Sequence, residues 1–316
     1  VVVGYGTQKK VNLTGAVGVV EGQDLQMRPV NSAAQALQGA DPSLLLTSGS
    51  GSLEGNEYSV SIRGSVSLNS GSPLILIDGV EGSLSQVNPN DIESISVLKD
   101  ASACAIYGAK ASAGVVLVNT KNGSEGKANI TYNGRVSVAT NTTSTDFITS
   151  SYDHVTLCNE FYNYFKGYGA WTFTDDQIEM MKDRRYDVTE NPERPWVIPD
   201  ETGTYSYVYL GNFDWYDFIF KRSRPETEHN ISVRGGTDKV KYYVSGRYLY
   251  KEGIFNNAAE DIYNSFSLRS KVDAKITKWL TYSNSLSFER MLYDYGGYWE
   301  QDGSAGLNSN GIIWNV

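Results

Sequence analysis

One stretch of the sequence decides the fold class: Ile130-Thr-Tyr-Asn-Gly-Arg-Val-Ser-Val138. Its even-numbered positions are apolar, aromatic or small, and its odd-numbered positions are all polar. Successive side chains of a β-strand point to opposite faces, so such a strand has one apolar and one polar face. Its length is close to the roughly 9 to 11 residues that a tilted strand needs to cross a bilayer. The stretch therefore predicts a membrane-spanning strand with one face toward lipid and one toward water.

The alternation returns further along the chain, in residues 229–234, 240–250, 262–272 and 280–288. The connections differ in length: residues 235–239 and 273–278 are short, whereas residues 251–261 and the tail after Met291 are longer. Short turns on one side and long loops on the other are typical of outer-membrane barrels. We therefore predict that residues 122–316 form the N-terminal part of a transmembrane antiparallel β-barrel.

Residues 141–225 lack this alternation. They contain two stretches that favour helices, residues 153–165 and 175–185, followed by a segment with prolines at 192, 195 and 199. A connection of this length inside a compact protein is usually functional. We predict that residues 141–225 form a long extracellular loop.

Residues 1–121 have a different sequence pattern, with short apolar runs between glycine-rich turns. The runs predict five strands, at residues 44–47, 58–62, 74–77, 94–98 and 115–118. Two alanine-rich segments, residues 32–38 and 101–107, end at Gly39 and Gly108 and predict short helices. Asp78-Gly79 predicts a turn, and Asp100 a helix cap. This part of the chain is predicted to be an α+β domain.

Composition excludes several classes of protein. The net charge of -9 argues against a nucleic-acid partner, which needs a basic face. The apolar runs are far shorter than the roughly 20 residues of a membrane helix. The two cysteines, Cys104 and Cys158, show no CxxC pattern and leave open a single bridge between them.

Catalytic patterns are absent from the sequence. It contains no GxSxG elbow, HExxH motif or phosphate-binding loop, and His154 and His229 lack metal-ligand spacing. We predict that the protein is not an enzyme and holds no cofactor and no metal.

An ordered set of motifs resembles the SusC/RagA-type TonB-dependent transporters. The motifs are Val1-Val-Val-Gly-Tyr-Gly6, Ala36-Leu-Gln-Gly39, Ile62-Arg-Gly64, Pro73-Leu-Ile-Leu-Ile-Asp-Gly79, Val97-Leu-Lys-Asp-Ala-Ser102, Gly114-Val-Val-Leu-Val-Asn-Thr-Lys121 and His229-Asn-Ile-Ser-Val-Arg-Gly-Gly236. The chain departs from the family at Pro42-Ser-Leu44, where Pro-Gly-Val is usual, and at Cys104, where serine or alanine is usual.

The resemblance implies an α+β plug domain, residues 1–121, inside a transmembrane antiparallel β-barrel of about 22 strands, of which this chain supplies the first about five to seven. Residues 1–6 would be the remnant of a TonB-box-like segment. A barrel with an open edge leaves backbone groups unpaired in lipid, which costs several kcal/mol each. We therefore expect the working protein to be longer.

The resemblance also implies a function. It predicts TonB-dependent active import of oligosaccharides across the outer membrane of a Gram-negative, Bacteroidota-type bacterium. The implied partners are a SusD-type surface lipoprotein, TonB with its ExbB/ExbD motor, outer-membrane lipid and a second transporter–lipoprotein pair. Peptide import by the same kind of protein is the main alternative, and a passive porin or an adhesin is a further one.

Three sets of residues are candidates for function. The residues expected to meet TonB are Val1, Val2, Val3, Gly4 and Tyr5, with the alternative that the valines form a first strand of the plug. Arg63 is a candidate switch between plug and barrel, or a structural arginine. The candidates for ligand binding are Trp171, Trp196, Tyr207, Trp215 and Trp299, with the alternative that they are the aromatic residues common at barrel interfaces.

Overall fold

The computed structural model describes residues 2–3, 6–7, 17–26, 30–48, 58–62, 72–142, 144–171, 173–201, 203, 206–256 and 261–294. The chain divides into two compact units. The first comprises Val1–Ser137, Pro225–Gly253 and Glu260–Val316, and the second comprises Val138–Arg224 and Ile254–Ala259. None of the helices in the described residues is long and apolar enough to cross a membrane.

The first unit opens with a small α+β domain. Its elements are β1 (Val2–Val3), β2 (Gly6–Thr7), β3 (Val17–Glu21), α1 (Gly22–Gln26), α2 (Ala33–Leu37), β4 (Leu44–Ser48), β5 (Tyr58–Ile62), β6 (Leu74–Ile77), β7 (Val80–Glu81), β8 (Ile92–Leu98), α3 (Ala101–Cys104) and β9 (Val115–Thr120). The main sheet has the order β3-β8-β9-β6-β7, and β4 pairs with β5. All five predicted strands are present, whereas β2, β3 and β7 were not predicted and β1 was considered only as an alternative.

Strand β9 begins with four consecutive apolar residues and does not alternate. Val116 and Val118 point into one buried cluster, together with α2 and β4. Val115 and Leu117 point into a second cluster on the other face, next to Cys104. A strand covered on both faces is apolar at consecutive positions. The domain is therefore held together by two cores, one on each side of its sheet.

The predicted turn and caps of this domain can be checked against its backbone. Asp78 and Gly79 have φ values of 50° and 89° and join β6 to β7, so the turn is confirmed. Ser32 caps α2 by accepting a hydrogen bond from the Gln35 amide. Asp100 occupies the N-cap position of α3, but its side chain makes no capping hydrogen bond, so that part of the prediction is wrong. Helix α3 has only four residues, which leaves a single turn of amides to cap.

The two cysteines are both free thiols, which excludes a bridge between them. Cys104 is buried, and its Sγ lies 3.6 Å from the Leu98 carbonyl oxygen. Burial, and then the charge of Asp100, raise the pKa of this thiol.

The first unit continues into a long sheet. Its strands are β10 (Gly126–Thr140), β13 (Ser223–Gly236), β14 (Val240–Glu252), β15 (Ile262–Lys275) and β16 (Thr281–Asp294), in the order β10-β13-β14-β15-β16. The two strands between β10 and β13 in the chain belong to the second unit. Neighbours from β13 to β16 are antiparallel, with Val244 opposite both Val233 and Ser270. The predicted strands are confirmed, and each is longer than the alternation indicated.

The alternation sorts the side chains of this sheet between two environments. Apolar residues on one face are exposed, among them Ile231, Phe266, Leu268, Leu286 and Phe288. The opposite face of β13, β14 and β15 carries buried polar residues: Glu228, Asn230, Ser245, Arg247, Ser265, Arg269 and Lys271. An exposed apolar face and a buried polar face invert the arrangement of a soluble sheet.

The second unit is built around two helices, α4 (Ser151–Lys166) and α5 (Asp175–Asp183), with β11 (Val197–Pro199), β12 (Tyr207–Tyr209) and α6 (Trp215–Ile219). Helix α5 begins with a capping box formed by Thr174 and Gln177. Val155, Met181 and Leu210 form the buried core of this unit. The helices were predicted, and the β11–β12 pair and α6 were not.

Candidate functional site

The buried polar face of the long sheet meets the N-terminal domain through two groups of charged residues. The first, the Asp78 cluster, consists of Asp78, Asp91 and Thr120 from the domain and Tyr243, Arg269 and Lys271 from β14 and β15. The second, the Asn31 cluster, consists of Asn31 from the domain and Arg135, Glu226, Glu228 and Arg247 from β10, β13 and β14. Both lie within the first compact unit.

In the Asp78 cluster, one carboxylate collects several donors. Lys271 Nζ lies 2.8 Å from Asp78 Oδ1, and Arg269 Nη1 lies 3.4 Å from Asp78 Oδ2. The Thr120 amide and hydroxyl also donate to this carboxylate, at 2.9 and 2.7 Å. Lys271 donates in addition to the Thr120 carbonyl oxygen and to Asn122 Oδ1. The lysine is therefore bound to the domain at two residues, Asp78 and Thr120, and to Asn122 directly after it.

Asp91 is the second acceptor of this cluster. The Tyr243 hydroxyl donates to Asp91 Oδ1 at 2.8 Å, and Arg269 Nε lies 3.8 Å from Asp91 Oδ2. Tyr243 is 1% exposed, so this hydrogen bond is closed to water. Asp91 is positioned by a short 3-10 turn, Pro89–Asp91, which Asn88 caps through the Asn90 amide.

The charge environment keeps Asp78 ionised. Burial by itself raises the pKa of this carboxyl group. The hydrogen bond from Lys271, the hydrogen bonds from Thr120 and the lysine charge together outweigh burial, so the pKa lies below its ordinary value of 3.8. The contact is a charged one at neutral pH.

In the Asn31 cluster, two arginines of the sheet share two glutamates. Arg247 Nε lies 2.7 Å from Glu228 Oε1, and Arg135 Nη2 lies 2.7 Å from Glu228 Oε2 and 3.3 Å from Glu226 Oε1. Asn31 closes the network from the domain side. Its amide donates to Glu226 Oε2 at 2.7 Å, and its backbone carbonyl accepts from Arg247 Nη2 at 2.7 Å. Its side-chain oxygen accepts from Arg135.

Comparisons with known proteins identify this arrangement of domain and sheet. Residues 9–115 match the family model of the TonB-dependent Receptor Plug Domain. The TonB-dependent receptor SusC of Bacteroides thetaiotaomicron is 34% identical over 266 residues, which cover 80% of this chain and 22% of SusC. The structure of the RagAB peptide importer in the open-open state matches with a TM-score of 0.67 and 28% identity, over 95% of this chain and 33% of that chain. The chain belongs to the SusC/RagA-type TonB-dependent transporters.

A further relative, a TonB-dependent receptor of Formosa agariphila, is 32% identical over 286 residues, covering 88% of this chain and 23% of the receptor. The chain spans about a quarter of the length of the curated relatives that it matches. In this chain the N-terminal domain is the plug, and the long sheet is part of the barrel wall.

The plug–wall interface is therefore polar and closely paired. Leaving one member of a buried ion pair without its partner costs several kcal/mol, so the two clusters fix the position of the plug. When the two sides of a polar interface separate, they expose charged groups and not apolar surface, and water hydrates those charges.

The residues predicted to meet TonB and to switch the plug are only partly described. Val2 and Val3 pair with Thr7 and Gly6 in the two-stranded β1–β2 sheet. Val1, Gly4, Tyr5 and Arg63 lie outside the described residues. The switch role of Arg63 stays a prediction.

The structure brings together two of the predicted ligand-binding aromatic residues. Trp171 and Trp215 line one cavity of the second unit. Trp196 does not line it; its ring packs against Gly211 and makes an edge contact with Tyr209. Tyr207 is 67% exposed on β12, and Trp299 lies outside the described residues.

Sequence reasoning missed the residues that join plug and wall, above all Asn31, Asp91, Arg247 and Lys271. A signal for the wall members was present, because Arg247 and Lys271 fall at polar positions of alternating strands. Asp91 falls within the stretch Asn88-Pro-Asn-Asp-Ile-Glu-Ser-Ile95, which resembles a family motif, but no contact with the wall could be read from it. Asn31 carried no signal, since loop asparagines are common and are usually explained by turns.

Proposed function

We propose that this chain supplies the plug and the first wall strands of an outer-membrane transporter that actively imports oligosaccharides. In this proposal residues 1–121 are the plug, residues 122–316 begin a barrel of about 22 strands, and residues 141–225 are an extracellular loop. The outer membrane is that of a Bacteroidota-type bacterium. Family membership and the likeness to SusC support the plug and the barrel wall, and the oligosaccharide cargo is what the family resemblance of the sequence implies.

The observation that carries the proposal is the polar plug–wall interface. A passive porin needs no plug, and an adhesin needs no plug that can move. Ion pairs such as Lys271–Asp78 hold the plug until a pull from the periplasm separates them, and water then hydrates both charges. The lumen opens to cargo only while force is applied.

The force comes from TonB and its ExbB/ExbD motor, and residues 1–5 are the segment that TonB binds. Val2 and Val3 support this because their described pairing is with Thr7 and Gly6 and not with the main plug sheet. An extended valine segment can add a strand to the edge of a partner's sheet through main-chain hydrogen bonds. On the outer side, a SusD-type lipoprotein covers the cargo, and two transporter–lipoprotein pairs associate.

The experiment replaces Val2 and Val3 with proline in the full-length transporter, with the Val2→Ile, Val3→Ile variant as the matched control. Proline removes the backbone donors that strand addition needs, whereas isoleucine keeps them. We expect the proline variant to lose uptake of labelled oligosaccharide while cells still bind it at the surface. Uptake at the wild-type rate in the proline variant would refute the TonB-driven mechanism.

Peptide import is the second candidate, favoured by the likeness to the RagAB peptide importer. The two can be separated by competition on whole cells. We expect an excess of neutral oligosaccharides, and not an excess of mixed tripeptides, to inhibit uptake and surface binding. Inhibition by the tripeptides alone would replace sugar with peptide and leave the transport mechanism intact.

A further inference from the structure

The second unit contains a cavity of about 220 Å3 that no transport step described so far requires. Its floor is part of the buried core of the unit, with Val155 and Met181. Its walls include the aromatic residues Trp171, Phe173 and Trp215. The volume is below the roughly 300 to 1,000 Å3 of sites for drug-sized ligands, so the cavity can admit one ring and not a folded chain.

The two tryptophans are held in place and are still open to a ligand. Trp171 and Trp215 are 43% and 42% exposed. Phe213 meets Trp215 edge-on, with ring centroids 4.6 Å apart, and Phe173 lies beside Trp171 at 6.5 Å. Aromatic neighbours restrict the rotamers of each indole. Binding a ligand therefore requires little further ordering of these side chains.

Asn159 fixes the backbone on which Trp171 stands. Its Oδ1 accepts from the Trp171 amide at 2.8 Å, and its Nδ2 donates to the Trp171 carbonyl oxygen at 3.2 Å. These two hydrogen bonds tie the segment after α4 back to the helix. Asn159 does not line the cavity, so it is a positioning residue for the tryptophan.

The chemistry of the lining selects the class of ligand. None of the described residues around the cavity is Asp, Glu, Lys or Arg. The polar groups at its edge are neutral hydroxyls, such as Ser151, and the His154 ring. An acidic sugar or a peptide terminus would lose its hydration here without gaining an opposite charge. A neutral sugar ring offers C–H groups to the indole faces and hydroxyls to the edge.

We propose that this cavity is a subsite for one neutral pyranose ring of the oligosaccharide, with Trp171 and Trp215 as its stacking surfaces. The proposal rests on the function proposed above and adds a location and a charge class for the cargo. A single shallow subsite binds weakly, so it acts together with the other contacts of a longer chain.

The test measures retention of the full-length transporter, in complex with its lipoprotein, on an array that carries neutral glycans, uronic acid glycans and tripeptides. We expect Trp171→Ala and Trp215→Ala each to weaken retention on neutral glycans by about tenfold, the usual scale for loss of a good aromatic contact. Asn159→Ala should weaken it in the same direction. Tyr186→Ala is the matched control, because Tyr186 is an 84% exposed aromatic residue outside the cavity.

Trp215→Phe keeps an aromatic face and should retain most of the binding, which separates lost stacking from a misfolded loop. Wild-type retention in both alanine variants, while uptake stays TonB-dependent, would overturn the subsite and leave the proposed function standing. Weakened retention on uronic acid glycans alone would overturn the charge class. Retention of the wild-type complex on tripeptides alone would overturn the subsite and the sugar cargo together.

Discussion

Lys271 illustrates how much one residue contributes to the position of the plug. It is 8% exposed and donates to Asp78, to the Thr120 carbonyl oxygen and to Asn122. Lys271→Met keeps the length of the side chain and leaves the Asp78 carboxylate without its nearest cation. We expect the folded plug in its place against the wall to lose about 3 kcal/mol of stability.

The buried thiol of Cys104 provides the measurement. Cys104 lies in the second core of the plug, so its rate of alkylation reports how often that core opens to solvent. With Cys158 replaced by serine, Lys271→Met should increase that rate strongly. Lys241→Met is the matched control, because Lys241 pairs with Glu125 at an exposed site where an ion pair contributes little. Equal rates in the two variants would show that the Asp78 cluster does not hold the plug.

Asp78 also predicts how the plug responds to acid. Its pKa in the folded protein lies below 3.8, so the stabilisation from this carboxylate is complete above pH 3.8. As the pH falls below that value and through the lower folded pKa, Asp78 takes up a proton and the stabilisation is lost. We expect the plug to open more often in this acidic range. The opening can be measured through the fluorescence of a label attached at Ser85. Asp78→Asn should remove that increase.

At the scale of elements, Asn212 joins three parts of the loop unit. Its Oδ1 accepts from the Ser151 amide at the start of α4, and its Nδ2 donates to the carbonyl oxygens of Arg184, Arg185 and Asp187 after α5. Asn212→Ala leaves these groups without that partner. We expect the unit to lose about 2 kcal/mol.

Hydrogen exchange of the α4 amides measures this effect. Exchange should quicken in Asn212→Ala and stay unchanged in Asn163→Ala, which removes an exposed asparagine of the same helix. Slow exchange in both variants would mean that Val155, Met181 and Leu210 hold the unit together without the asparagine.

The strands differ in how well they could be predicted from the sequence. Strands β10 and β13 to β16 were predictable because each must satisfy lipid on one face and a polar interior on the other, which imposes alternation over many residues. Strand β3, Val17–Glu21, was not predictable. It is short and contains a glycine, and its place in the sheet depends on pairing with β8, which begins at Ile92.

For the molecule as a whole, plug and wall are expected to unfold separately. The plug has its own cores and meets the wall through polar clusters, whereas wall strands can lose their hydrogen bonds only by exposing backbone groups to lipid or detergent. In increasing urea, alkylation of Cys104 should therefore reach its midpoint before far-UV circular dichroism loses the strand signal. Coincident midpoints in the full-length transporter would show one cooperative unit.

The sequence alone determined that this protein has two kinds of structure, a compact plug and a long alternating sheet. The length of each strand and the alternation of its residues follow from what each of its faces must contact. Only the tertiary structure decided which charges meet. Arg269 and Asp78 are 191 residues apart, and Tyr243 and Asp91 are 152 apart. Ion pairs and hydrogen bonds act over a few ångströms, and distances of that kind between remote residues are set by the packing of the plug against the wall.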